Sequence, residues 1–185
     1  MAGHHLILGE LQDIITNETL QDTHDERLRQ GLAALLVKEK GFLRNDIKPR
    51  WPLTLRADEK CAVINIDFGI FIDSRACMMI KYGPGSLVTR HRPALAASRM
   101  LVSYQIPVVV VTNGVDADIL DGPSGKVIAR GLDGIPDRTS LKKQVAGQTF
   151  ASIQPERAQK ESRIAFAFEV DGSCPCDDTI CKISG

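Results

Sequence analysis

Residues 61–90 read CAVINIDFGIFIDSRACMMIKYGPGSLVTR, and their pattern decides the fold. From Ala62 to Ile72, apolar residues recur at Val63, Ile64, Ile66, Phe68, Ile70, Phe71 and Ile72. Asp73-Ser74 supplies turn chemistry. Ala76 to Tyr82 is then a nearly unbroken apolar run, interrupted only by Lys81. Strands that are apolar on both faces are buried on both faces. An acid and a base on such strands are costly unless they are paired or used. Asp67 and Lys81 are therefore candidate site residues. A tight turn between the strands predicts an antiparallel pair with these two charges nearly opposite each other.

Outward from this stretch, local signals place the other elements. Thr23 with Glu26 three residues later reads as a capping box that opens a helix. Leu28, Leu32, Leu35, Leu36 and Val37 repeat at helical spacing, and Gly41 ends the run. Before it, Leu8, Leu11 and Ile15 suggest a short helix or a packed arm within residues 4–20. Asp46 to Leu55 reads as a strand, and Pro49 and Pro52 confine it to a sheet edge. Pro93 suits the first turn of a helix running to about Tyr104. Ile106–Val111 is a buried strand, and 118–121 with 126–129 flank Gly122-Pro123-Ser124-Gly125 as a hairpin. The Gly-Lys pair there is no P-loop, because the upstream glycine is missing and no helix follows. Short helices are expected at 140–145 and 155–168. The order is α/β, with an antiparallel meander inside a mixed sheet flanked by helices. One domain over residues 1–170 is expected, with its core at about 20–135, followed by a cysteine-containing tail at 171–185.

Composition excludes little. The chain has 185 residues with 23 basic and 23 acidic side chains, so any basic surface must be a local patch. No stretch is long enough to span a bilayer, and the N-terminus turns acidic too early for a signal peptide. A cytoplasmic protein with no membrane partner is expected. Five cysteines, an odd number, argue for reduced thiols or metal ligation rather than a disulfide framework.

The loop after Lys81 is a second candidate site. Gly83 and Gly85 allow close backbone approach, and Ser86 offers a hydroxyl. Arg90, His91 and Arg92 bring positive charge to a helix start, where acids would normally complement the dipole. Gly83, Gly85, Ser86, Arg90 and Arg92 thus suit a bound phosphate; the competing reading is a basic loop with salt-bridge partners elsewhere.

The motifs THDERLRQGLAALLVKEKGF, NIDFGIFID, MMIKYGPGS and YQIPVVVVTNG-x-DADILD together resemble the N-terminal domain of type I restriction enzyme R subunits, and its stand-alone relatives more closely. The resemblance spans about residues 20–135. It implies a restriction-endonuclease-like, PD-(D/E)XK core. It makes Asp67 the first metal acid, Lys81 the catalytic lysine and Glu26 the helix acid. In such nucleases two carboxylates hold Mg²⁺ and the lysine helps activate water for phosphodiester hydrolysis.

The departures are specific. Met79 stands where the family has an acid two residues before the lysine, and a thioether does not replace a hard oxygen on Mg²⁺. Met100 stands four residues before Tyr104, where many such nucleases have glutamine. Asp73 is a poor substitute carboxylate because it lies in the turn. The expectation is a degenerate nuclease-like domain that binds nucleic acid or another phosphate-bearing ligand without efficient cleavage and without a tightly held cofactor. The alternatives are an active Mg²⁺-dependent endonuclease with a displaced carboxylate, and a protein-interaction domain of a restriction or signalling system. Cys174, Cys176 and Cys181, with Cys61 or Cys77, suggest an iron–sulfur or zinc site; the C-x-C spacing favours a tail with free thiols, and Cys61 and Cys77 read as core residues. The oligomeric state is open.

Overall fold

The computed structural model describes residues 7–171 and the backbone of 181–183. Cys174 and Cys176 lie outside the described residues. A small antiparallel hairpin, β1 (Glu10–Gln12) and β2 (Thr19–Gln21), replaces the helix or arm expected there. Of the residues that suggested a helix, Leu11 lies in β1 and Ile15 sits in the turn, where it and Ile14 pack on the core. Helix α1 (His24–Ala34) follows, with the Glu26 amide donating to the Thr23 hydroxyl at 3.1 Å. The reciprocal half of the capping box is not made; the Glu26 carboxylate accepts from Gln30 instead. The helix widens through Leu35–Glu39 and stops at Gly41, whose φ of 69° is the left-handed conformation expected after a helix end.

Strands β3 (Ile47–Ala57), β4 (Lys60–Ile72) and β5 (Arg75–Tyr82) form the predicted meander. Asp73 and Ser74, at φ 48° and 66°, make the two-residue turn that matches strand twist. Helix α2 (Val88–Ser98) crosses over to β6 (Val108–Thr112), which runs parallel to β5. The helix begins five residues before the expected Pro93 start and ends well short of Tyr104. Pro93 lies inside it and removes one intrahelical donor near an end where donors already lack partners. Strands β7 (Ala117–Asp121) and β8 (Val127–Arg130) form the hairpin; α3 (Arg138–Val145) and α4 (Pro155–Phe166) follow, the latter continuing as a wider turn through Ala167–Asp171. The sheet order is β3-β4-β5-β6-β7-β8. Strand β9 (Cys181–Ile183) pairs with the start of β4, so part of the tail joins the sheet. No described helix is long and apolar enough to cross a membrane.

Two apolar layers sandwich the sheet. Phe68, Ile70, Ile80 and Tyr82 pack toward α1 and α3. Leu53, Leu55, Ile64, Ile66, Met79, Val109 and Val111 pack toward α2 and α4. Ile66 and Phe68 are two residues apart yet belong to different layers, which regular alternation forbids. On β3, Ile47 and Trp51 break alternation in the same way. Register runs from Pro49↔Phe68 to Trp51↔Ile66, so both flips fall at the rung where Arg50 faces Asp67. Arg50 has φ 46° in mid-strand, a non-glycine left-handed residue that re-aims its side chain.

Arg50 reaches the β1–β2 turn. Its Nη1 donates to Asp13 Oδ2 at 2.7 Å, and Asp13 also accepts the amides of Ile15 and Thr16. Burial pushes the Asp13 carboxyl up, but the Thr16 amide, Arg50 and the Ile15 amide outweigh it and hold the pKa below its ordinary value. Asp13 therefore contributes stability above its unfolded pKa of about 3.9, and that contribution is lost as pH falls through the lower folded value. Urea midpoints of the wild type and Asp13→Asn should differ at neutral pH and converge in acid. A constant gap across pH would refute this assignment.

Candidate functional site

The irregular rung at Asp67 is where β4 and β5 separate. Their ladder ends at Phe68↔Ile80. Beyond it, side chains fill the opening. Asp67 Oδ2 accepts the Tyr82 amide at 2.8 Å, and Lys81 Nζ donates to the Asn65 carbonyl at 3.0 Å. On the β9 side, β4 is paired again at Cys61–Val63.

Asp67 faces α1. Arg29 Nε donates to Asp67 Oδ1 at 2.7 Å, and Arg29 Nη1 lies 3.6 Å from Glu26 Oε2. The same guanidinium stacks 5.3 Å over the Tyr82 ring, whose hydroxyl donates to Asp25 at 3.0 Å. Burial, then the Asp25 acceptor, push the Tyr82 phenol up to about 12. Burial alone would lower the Arg29 pKa, yet the charge and hydrogen bond of Asp67 hold it above its ordinary value. Glu26 and Asp67, expected to share a site, are thus brought together by an arginine between them.

Lys81 is not beside Asp67, and the predicted ion pair is not formed. Alternation along β5 sends Met79 and Lys81 to the α2–α4 face and Ile80 and Tyr82 to the α1 face. Lys81 meets Glu169, beyond α4, at 3.4 Å, and both side chains are mostly buried. Met79 is 0% exposed in the apolar layer over α2. Asp73 remains in its turn and pairs with Lys142 of α3 at 3.1 Å. Tyr104 serves structure: its hydroxyl accepts the Ala76 amide. Met100 packs at the edge of the α2–α4 layer.

The glycine loop is only partly the expected cradle. Arg90 donates from Nε and Nη2 to the Pro84 carbonyl and lies so close over Gly83 that a Cβ there would meet its Nη1 at 2.4 Å. Pro84, Gly85 and Ser86 are exposed, and the Gly85 and Ser86 amides donate to no acceptor among the described residues. Arg92 turns away: Nη1 donates to Glu161 Oε2 on α4 at 2.5 Å. The five loop residues therefore split into a pinned loop with Arg90 and an arginine committed elsewhere. His91 Nε2 bonds Asp118 at 2.8 Å.

Cys77 is buried, with its thiol pushed up by burial, and Cys61 is partly exposed; neither forms a disulfide. No group of three His, Cys, Asp or Glu among the described residues is arranged to hold a metal ion. For Mg²⁺, the donor set does not fit. The Asp67 oxygens are taken by Arg29 and the Tyr82 amide, and Met79 offers no hard oxygen.

The family description of the type I restriction enzyme R protein N terminus (HSDR_N) matches residues 24–136, more than half of the chain. The chain belongs to this family. No curated protein and no solved structure matches it. The family segment runs from the first residue of α1 to just before α3, so it contains Glu26, Arg29, Asp67, Met79, Lys81 and the glycine loop. The β1–β2 hairpin, α4 and β9 lie outside it. Arg29 and Glu169 escaped sequence reasoning. Arg29 stands three residues after Glu26, a spacing that puts both on one helix face. Glu169 has no local signal at all.

Proposed function

We propose that this chain is a catalytically degenerate nuclease-like domain that binds nucleic acid in the cytoplasm without cleaving it. One observation carries the loss of cleavage: the Arg29 guanidinium stands between Asp67, the expected metal acid, and Glu26, the expected helix acid. Lys81 faces the other layer and is neutralised by Glu169. Binding is supported by membership of a restriction-enzyme family and by the free amides at Gly85 and Ser86 ahead of α2.

Gel-shift and cleavage assays on single- and double-stranded oligonucleotides, with and without Mg²⁺ or Mn²⁺, test this. Salt-sensitive binding without cleavage products is expected. Metal-dependent cleavage abolished by Asp67→Asn would instead establish an active endonuclease. Absence of binding to either strand form would leave a protein-interaction domain.

A further inference from the structure

Four cations of the family segment, Lys60, Lys81, Arg92 and Arg99, are held by acids of α4 and its continuation, which lie outside it. Arg92 on α2 pairs with Glu161 of α4, which also takes Arg99 at 2.7 Å. Lys81 on β5 pairs with Glu169 in the turn that continues α4. Both acids point inward: their side chains are 5% and 15% exposed. The helix's own cations face solvent, with Arg157 and Arg163 each about half exposed. This inverts the usual amphipathic arrangement, in which inward positions are apolar. Buried ion pairs are poor stabilisers beside apolar residues of similar size, so stability alone does not explain glutamates at these positions. The apolar seal under α4 is modest, consisting of Ala165, Phe166 and Val170 with Ile164 at its margin.

We propose that α4 and its continuation form an acidic cover over an anion-binding surface of the nuclease-like core. Glu161 and Glu169 occupy Arg92 and Lys81, which take phosphates of a nucleic-acid backbone when the cover lifts. This inference rests on the nucleic-acid reading above. It adds a second phosphate contact surface, on the α2–α4 face, and a means of controlling access to it.

Glu169→Gln is the cleanest test. It removes one covering charge and leaves Lys81 its bond to the Asn65 carbonyl; a thermal melt checks that the fold survives the loss of this mostly buried pair. Fluorescence anisotropy with labelled single- and double-stranded oligonucleotides should show binding roughly five- to tenfold tighter than wild type. In the wild type, saturating oligonucleotide should also strip hydrogen-exchange protection from amides in 155–171. If the wild type binds, Glu169→Gln binds no tighter and 155–171 stays protected, the cover is refuted and the nucleic-acid reading stands. If neither protein binds, both fall.

Discussion

Met79→Glu, which places an acid where the family resemblance leads one to expect it, is expected to destabilise the protein severely and to produce no cleavage. Residue 79 is fully buried among Ala94, Ala96, Ala97, Val109 and Val111, all apolar. The nearest chain neighbour on its face is Lys81, already held by Glu169 and the Asn65 carbonyl. A carboxylate there has its pKa raised by burial, by up to 3–5 units in comparable sites; with an unfolded value of about 4.3, this costs about 3.5 kcal/mol at pH 7. The deficit vanishes while the carboxyl is protonated and grows as pH rises above the unfolded value of about 4.3. Urea unfolding should therefore show a larger loss in alkaline than in mildly acidic buffer. Met79→Leu, nearly volume-conserving, should cost less than about 1.5 kcal/mol. Wild-type stability in Met79→Glu, or Mg²⁺-dependent nicking by it, would mean that residue 79 faces Asp67 after all.

Arg29→Ala is the second large effect. Asp67 is 6% exposed and Arg29 27%, so removing the guanidinium strands a buried carboxylate. Breaking such a pair from one side costs about 3–5 kcal/mol, and the partial exposure of Arg29 favours the low end. The melting temperature should fall by roughly 6–12 °C for a chain of this size. Arg29→Ala with Asp67→Asn should recover part of that loss, because no unpaired charge remains. Equal losses in the single and double variants would show that the two residues are not coupled. Mg²⁺ should not restore the melting temperature of Arg29→Ala, since only Asp67 and the helix acids would face the ion. Rescue by Mg²⁺ and not by Na⁺ would reveal a metal site that the guanidinium had replaced.

Several consequences follow for the family assignment. The segment that matches the restriction-enzyme R family contains Glu26, Asp67 and Lys81, the residues expected as helix acid, strand acid and lysine. Their side chains do not converge. Glu26 and Asp67 share Arg29 on one layer, and Lys81 serves Glu169 on the other. Side chains that the sequence groups together thus face different layers of the sheet. Arg29, which holds Glu26 and Asp67, lies inside the matched segment, whereas Glu169, which holds Lys81, lies outside it.

Much of the architecture was legible in local sequence. The alternating and continuous apolar runs placed β4, β5 and β6. Asp73-Ser74 marked their hairpin, Pro49 and Pro52 marked the edge strand, and Thr23 and Gly41 marked the ends of the first helical segment. Each of these signals acts within a few residues, through turn sterics, capping hydrogen bonds or strand periodicity. The β1–β2 hairpin was misread because Leu8, Leu11 and Ile15 have helical spacing, although Leu11 lies in β1 and Ile15 in the turn. The start of α2 was misread because proline is tolerated slightly deeper in a helix than its preferred first turn.

What the sequence alone determined is the order of elements from α1 to α4, the family and the chemical inventory of Asp67, Glu26, Lys81 and Met79. Only the tertiary structure decided which way those side chains point and what neutralises them. The face on which a strand residue lies follows from alternation only while the strand is regular. The flip at Arg50 and Asp67 depends on a left-handed arginine, a conformation that no residue type announces. The partners of Lys81 and Arg92 come from residues 169 and 161, far along the chain, and pairing over that distance is set by packing of layers rather than by any local preference.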